Sequence, residues 1–178
     1  RFHNLRTPVT NGAGKFAFAS TLSGATLPTD AGIWASTASG LRLVARKGSP
    51  APGTAGTFAA LDLTDNLNLN AQGNLLIAAN LNLGGAPQER GLWLDSAAGL
   101  SLIAVEGSRA PGVGRYFNRV FDGANLNDGT VVFGAAVSSV PNDPNGQFGI
   151  WRWTAGQIER IVGVGDRLEV LPGDFRTI

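Results

Sequence analysis

One short motif occurs three times in this chain. A glycine, a branched apolar residue and a tryptophan follow one another and end at Trp34, Trp93 and Trp151, about 58 residues apart. An apolar stretch and then a proline-glycine step follow each tryptophan in nearly the same phase. A fixed period of this size is typical of repeat architectures, in which copies of one supersecondary unit pack on each other. The fold must therefore be deduced from the unit.

Each unit contains four short apolar stretches separated by turn residues, which is the pattern of β-strands. Glycine in the links between the second and third stretches suits tight hairpins, because it adopts positive φ without strain. No window has a helical period, so the sequence predicts an all-β chain. The stretches are residues 14–19, 73–78 and 129–134; the three Gly-x-Trp motifs; residues 41–45, 100–104 and 158–163; and the Phe-x-x-apolar steps at Phe2, Phe58, Phe117 and Phe175.

Residues that recur in phase are predicted to form the core. Aromatic faces also bind sugars, but a large side chain at the same place in every unit is most simply buried. The predicted core positions are Trp34, Trp93, Trp151, Phe18, Ile77, Phe133, Phe58 and Phe117.

Four antiparallel strands in a unit of this length fit a β-propeller blade, and the alternative is a β-trefoil, which is also built from three four-stranded units. Phe2 and Phe175 begin what is predicted to be the same element, which favours an open array over a closed three-fold fold. Since three blades do not close a ring, we expect another copy, or further repeats of a longer chain, to complete it. The chain reads as one repeat domain, 1–178, with units at about 2–57, 58–116 and 117–174, and a fourth beginning at 175–178.

Composition excludes several classes of function. The chain has 14 basic and 13 acidic residues among 178 and no basic cluster, so nucleic-acid binding is not expected. It has no cysteine, which excludes disulfides and thiolate metal sites. No apolar run approaches the length of a membrane helix, so we expect no membrane insertion by this segment. A chain that begins at Arg1 and contains no methionine is expected to be a processed product or part of a longer one.

An asparagine precedes the first stretch of each unit. The motif Asn-x-x-Gly-x-x-x-Phe is complete at Asn11, has Ile77 in place of phenylalanine after Asn70, and is one residue short before Gly129 after Asn127. With the Gly-x-Trp and Ala-Pro-Gly steps, this pattern resembles the bacterial choice-of-anchor tandem-repeat proteins. The resemblance implies a repetitive, exported protein that is secreted, periplasmic or at the cell surface, and it supplies no catalytic residues.

Trp153 is a candidate ligand-binding residue because it departs from the repeat. The residues two positions after the other motif tryptophans are Ser36 and Asp95. Binding sites of repeat proteins tend to lie where one unit differs from the others. The alternative is that Trp153, which shares a strand face with Trp151, extends the core.

The second Ala-Pro-Gly loop supplies the other candidates. Arg109, Arg115 and Tyr116 flank this glycine-rich loop, and an arginine with a tyrosine could recognise a glycan or an acidic partner. The alternative is an ordinary solvated loop.

Signals for metal binding and catalysis are weak. Segments 62–66 and 142–146 are rich in Asp and Asn but lack the ligand spacing of an EF-hand, and we interpret them as Asx turns. His3 is the single histidine, so a Ser-His-Asp triad is not expected. We predict no cofactor, metal site or catalytic residue.

Three functions remain open at this point. The leading hypothesis is a non-catalytic exported module that acts as a structural or binding surface component, with a glycan or a surface assembly as its partner. A lectin-like β-trefoil is the first alternative. The second is a propeller-type hydrolase or lyase, in which Asp30, Glu89 and Asp95 would meet in a central channel.

Overall fold

The computed structural model describes residues 1–26, 29–62, 67–84, 89–141, 143 and 145–178. The described chain consists of 17 β-strands and has no α-helix, so the prediction of an all-β fold is confirmed. Every pairing between these strands is antiparallel. Among the described residues, no helix is long and apolar enough to cross a membrane.

Three five-stranded sheets follow one another along the chain. In each, the strand that carries the Phe-x-x-apolar step pairs with the next long strand, and two further strands follow as a meander. Sheet 1 contains β1 (Phe2–Leu5), β2 (Val9–Thr10), β3 (Phe16–Leu22), β4 (Ala31–Thr37) and β5 (Gly40–Arg46). Sheet 2 contains β6 (Thr57–Leu61), β7 (Asn68–Leu69), β8 (Leu75–Asn82), β9 (Glu89–Ser96) and β10 (Gly99–Val105). Sheet 3 contains β11 (Arg109–Ala110), β12 (Arg115–Asn125), β13 (Val131–Ser138), β14 (Gln147–Thr154) and β15 (Gln157–Gly163).

The strand registers place the recurring residues at equivalent positions. Trp34 is paired with Phe18, Trp93 with Ile77, and Trp151 with Phe133. The Phe-x-x-apolar strand has a bulge after its phenylalanine in all three sheets. Seven of the eight predicted core residues are buried, and Trp34 is half-buried.

A fourth, two-stranded sheet ends the described chain. It shows that Phe175 is not the equivalent of Phe58 and Phe117, although its spacing suggests that it is. It contains β16 (Arg167–Leu171) and β17 (Asp174–Thr177). The amides of Gly48 and Gly107 donate to the carbonyls of Phe58 and Phe117, and the amide of Gly165 donates in the same way to Ile178. Ile178, not Phe175, therefore occupies the phenylalanine position, because the hairpin before it is longer than its two equivalents.

The three sheets pack face to face. We call the face that carries the motif tryptophan the front face and the opposite face the back face. One apolar cluster joins the back of sheet 1, through Ala17 and Ile33, to the front of sheet 2, through Ile77 and Trp93. A second cluster joins the back of sheet 2 to the front of sheet 3. Sheet 2 is therefore buried on both faces, whereas among the described residues no sheet covers the front of sheet 1 or the back of sheet 3.

The Gly-x-Trp motif has a steric explanation. Residues two apart on a strand point to the same side, and each indole lies back over the glycine that precedes it. A Cβ at Gly91 would lie 2.6 Å from Cη2 of Trp93 and 3.1 Å from the carbonyl oxygen of Ala104. Gly32 and Gly149 have the same relation to their tryptophans. Glycine is required because any side chain would displace the ring from the core.

Asparagine side chains connect the three sheets at the turns before β3, β8 and β13. Asn11 Nδ2 donates to the carbonyl of Asn70 at 2.8 Å, and Asn70 Nδ2 donates to the carbonyl of Leu126 at 2.9 Å. Asn11 Oδ1 and Asn70 Oδ1 accept backbone amides within their own turns. We call these linked side chains the asparagine ladder.

The ladder also corrects the third copy of the asparagine motif. The turn amides of Gly14, Gly73 and Gly129 donate to the residues three positions earlier, which in the third sheet is Leu126. Asn127 is thus not the equivalent of Asn11 and Asn70. Its Oδ1 accepts the amide of Ala71 instead, which is a further bond between sheets 2 and 3.

Replacement of Gly91 by alanine is expected to lower the free energy of unfolding by about 1–3 kcal/mol, because the new methyl group overpacks the Trp93 site. The measurement is urea unfolding followed by tryptophan fluorescence. Gly12→Ala is the matched control, since a Cβ at Gly12 meets nothing within 4 Å. Equal stability of the two variants would contradict the steric role of Gly91.

Replacement of Asn70 by aspartate is expected to lower the free energy of unfolding at pH 7 by about 3 kcal/mol. The new carboxylate would face the oxygens of Asn125 and Leu126, which now accept hydrogen bonds from Asn70 Nδ2. Chemical denaturation measures the loss. Asn11→Asp, at the more exposed end of the ladder, is expected to cost less; a larger loss there would show that the links do not depend on burial.

Candidate functional site

The front face of sheet 1 is an exposed apolar surface. Phe2 and Leu5 are 44% and 62% exposed. Together with Phe16 and Phe18 they line a shallow depression of about 410 Å³. Phe2 packs edge-on against Trp34, with ring centroids 4.9 Å apart. An exposed apolar patch of this kind is typical of an interaction surface.

The back face of sheet 3 is the second exposed apolar surface. Phe121 and Phe148 pack against each other, with centroids 5.6 Å apart, and both remain exposed. Ile150 lies half-buried on this face, whereas its equivalent on sheet 2, Leu92, is fully buried. Inside the chain, the back of one sheet packs on the front of the next. The front of sheet 1 and the back of sheet 3 are therefore the two end faces of this series, and together they are the candidate functional site.

The candidate ligand residues of the second Ala-Pro-Gly loop lie close together. The guanidinium of Arg109 lies 4.8 Å from the centroid of the Tyr116 ring, a cation–π contact. Arg115 Nη1 donates to Gln147 Oε1 at 2.5 Å. Arg109 therefore contacts Tyr116 at the end of the same loop, and Arg115 contacts Gln147 at the start of β14.

Trp153 lies apart from this loop. It is half-buried, is paired with Val131 and Ile158, and packs against the cluster between sheets 2 and 3. Gln147, which contacts Arg115, begins the strand that carries Trp153. At about 3.3 Å per residue the two ends of that strand are roughly 20 Å apart. Trp153 and the arginine loop do not form one site.

A charged cluster that the sequence did not indicate crosses the junction of sheets 2 and 3. Arg90 pairs with Asp62, at 3.3 Å between Nη2 and Oδ2, and with Asp122. Both oxygens of the Glu106 carboxylate accept backbone amides, from Arg90 at 2.9 Å and from Val120 at 3.1 Å. These groups bond to one another across the junction, which indicates a structural role.

The hydrolase or lyase alternative requires Asp30, Glu89 and Asp95 to meet, and the structure does not bring them together. Glu89 begins β9 and Asp95 lies near its other end, roughly 20 Å away at the usual rise per residue. Asp30 pairs with Lys47, at 3.0 Å between Oδ1 and Nζ. Asp95 pairs instead with Arg42, a residue that sequence patterns did not single out. These carboxylates therefore form no shared catalytic site.

The two segments rich in Asp and Asn lie partly outside the described residues. Residues 63–66, 142 and 144 are not described. Asp143 accepts hydrogen bonds from the Ser138 hydroxyl and from the amide of Asn145, and these hold its pKa below the ordinary value. The second bond is the Asx turn expected there. Within the described ranges, no group of three or more His, Cys, Asp or Glu residues could hold a metal ion.

The chain was compared with known protein families and with curated proteins. A protein family described as a family of unknown function (DUF7453) matches residues 1–178. No curated protein matches the chain.

Replacement of Glu89 by glutamine is expected to raise the melting temperature at pH 7. Partial burial and the nearby Glu106 carboxylate raise the pKa of Glu89. A raised pKa means that the folded state binds the proton more tightly than the unfolded chain. Stability therefore falls as the pH rises through that range. At about pH 3, where both states are protonated, the variant and the parent should melt alike.

Thermal melts at the two pH values test this. Glu159→Gln is the matched control, because Glu159 is exposed and pairs with Arg152 at 2.8 Å; it should show no gain at pH 7. An unchanged or lower melting temperature for Glu89→Gln at pH 7 would contradict the unfavourable charge at this position.

Proposed function

We propose that this chain, which belongs to the DUF7453 family of unknown function, is a non-catalytic repeat module whose sheets pack in series with further sheets of the same kind. Its role is structural: it contributes consecutive units to a larger exported assembly. The support for export is the resemblance of its motifs to the tandem-repeat proteins named above.

The exposure of equivalent residues carries this proposal. Phe2 and Leu5 of sheet 1 correspond in register to Phe58 and Leu61 of sheet 2. The residues of sheet 2 are 2% and 6% exposed, because sheet 1 covers them, whereas those of sheet 1 have no such cover. Burial of a large apolar side chain contributes about 1.5–3 kcal/mol. A neighbour on the front of sheet 1 would supply this stabilisation.

We propose that the sheets are blades of a β-propeller. Each sheet is a meander, and in the described chain the named strands pair only within their own sheet. Self-contained sheets packed face to face support blades over a β-trefoil. A propeller usually has about four to eight blades, so other units complete the ring.

The occupant of the front face of sheet 1 is, in this proposal, the back face of sheet 3 of a second copy. That arrangement repeats the contacts found twice inside the chain, with back and front faces alternating. It is a heterologous contact, which generates a ring where the rotation closes and a filament where it does not.

Sedimentation equilibrium of the 178-residue chain tests this proposal. We expect reversible association that increases with concentration. Leu5→Asp is expected to shift the population to monomer, because it places a charge in the proposed contact. Leu5 is largely exposed, so the substitution should leave the fold intact.

Val140→Asp is the matched control. Val140 is also an exposed apolar residue, at 60%, but lies in the turn after β13. It should leave association unchanged. A parent chain that stays monomeric at every concentration, or equal effects of the two variants, would contradict packing through the front face of sheet 1.

A further inference from the structure

A cleft of about 450 Å³ lies between the hairpin turns of sheets 1 and 2. Its walls come from the turn between β4 and β5, the asparagine turn before β8, and the turn between β9 and β10. We call it the hairpin cleft. Eight of its lining residues carry hydroxyl, amide or charged groups: Lys15, Ser36, Thr37, Arg42, Gln72, Asn74, Asp95 and Ser96.

The residue two positions after the motif tryptophan explains why this cleft is open. On sheet 2 that residue is Asp95, paired with Leu75; on sheet 3 it is Trp153, paired with Val131. Trp153 packs into the cluster between sheets 2 and 3. Asp95 is much smaller, so the equivalent space between sheets 1 and 2 remains unfilled.

Asp95 is a buried carboxylate with unused bonding capacity. It is 1% exposed, and its Oδ2 accepts a hydrogen bond from Arg42 Nη2 at 2.5 Å. Its Oδ1 is buried and has no hydrogen-bond partner among the described residues. A buried acceptor without a donor is costly. A donor that reached it from the cleft would remove that cost.

Two cationic side chains line the cleft together with this carboxylate. A guanidinium has five N–H donors, and the Arg42 side chain is partly exposed at the cleft. Lys15 also lines the cleft, and its stem lies over Gly73, where a Cβ would be 3.4 Å from Lys15 Cγ. With Asp95, the cleft carries two positive charges and one negative charge, which favours an anionic ligand.

We propose that the hairpin cleft binds an acidic saccharide. The carboxylate of a hexuronate pairs with Lys15 and Arg42. Arg42 Nη2 stays bonded to Asp95 Oδ2, its other N–H groups donate to the hexuronate carboxylate, and a neighbouring sugar hydroxyl donates to Asp95 Oδ1. The hydroxyl and amide groups of the lining bond to the remaining hydroxyls. A carboxylate next to several hydroxyls matches this set of donors and acceptors better than a simple anion or an acidic peptide does.

This site is independent of the end faces, so its test does not depend on assembly. The experiment is a titration of the isotopically labelled chain, in the Leu5→Asp background, with D-glucuronate, followed by amide chemical shifts. We expect saturable shifts confined to the residues of the hairpin cleft. Lys15→Gln should weaken binding about tenfold through loss of a charged hydrogen bond, and added salt should weaken it as well.

Two further variants test whether the ligand occupies the hairpin cleft. Asp95→Trp places the residue of sheet 3 in the cleft and is expected to abolish binding by filling it. Lys47→Gln is the control, because Lys47 is paired with Asp30 outside the cleft and its loss should leave the affinity unchanged.

The remaining arms separate other ligand chemistries. Methyl glucoside, which has the ring without the carboxylate, is expected to bind much more weakly than glucuronate. Equal binding of sulfate or of a glutamate-rich peptide would overturn the assignment to a saccharide. Absence of saturable shifts with glucuronate, or shifts outside the cleft that Lys15→Gln does not alter, would overturn the site itself.

Discussion

Face-to-face packing of apolar sheets is the constraint on which the rest of this structure depends. An antiparallel sheet with one apolar face needs a single cover, but the strands of sheet 2 carry apolar side chains on both faces. Ile77 faces sheet 1 and Leu76 faces sheet 3. Such a sheet is stable only between two neighbours. Two other features follow from this close packing. The glycine beneath each indole leaves room for the ring, and the asparagine ladder supplies hydrogen bonds between the turns of neighbouring sheets.

The regular part of the fold could be predicted because it depends on period. Strand alternation is fixed by backbone geometry, so in-phase residues such as Phe18 and Ile77 had to lie on one face. The two alignments that went wrong lie where one unit differs in length from the others: Asn127 is in a turn, and Phe175 is in the second strand of a lengthened hairpin. Spacing carries no information on which residue of a lengthened hairpin keeps the hydrogen bond, and here it is Ile178.

The surface features were harder to predict for a related reason. Departures from the repeat, such as Trp153, are visible in the sequence, but their consequence depends on the sheet that faces them. At one position Ser36 accepts the amide of Phe16, Asp95 pairs with Arg42, and Trp153 joins the core. The same strand position thus holds a hydroxyl that bonds the neighbouring strand in sheet 1, a carboxylate that lines the hairpin cleft in sheet 2, and an indole that fills the junction in sheet 3. Only the partner across the junction distinguishes these three outcomes.

The junctions share their apolar contacts but differ in their polar ones. Trp93 Nε1 donates to the carbonyl of Pro52, in the hairpin that precedes sheet 2, at 2.9 Å. Trp151 Nε1 is buried and has no partner among the described residues, although Pro111 occupies the equivalent hairpin. The hairpin of β16 and β17 is longer than these two, with Leu168 and Val170 exposed. Apolar packing alone would let any two such sheets associate. The hairpins, which differ in length and in bonding, are therefore the part of each junction that is not interchangeable.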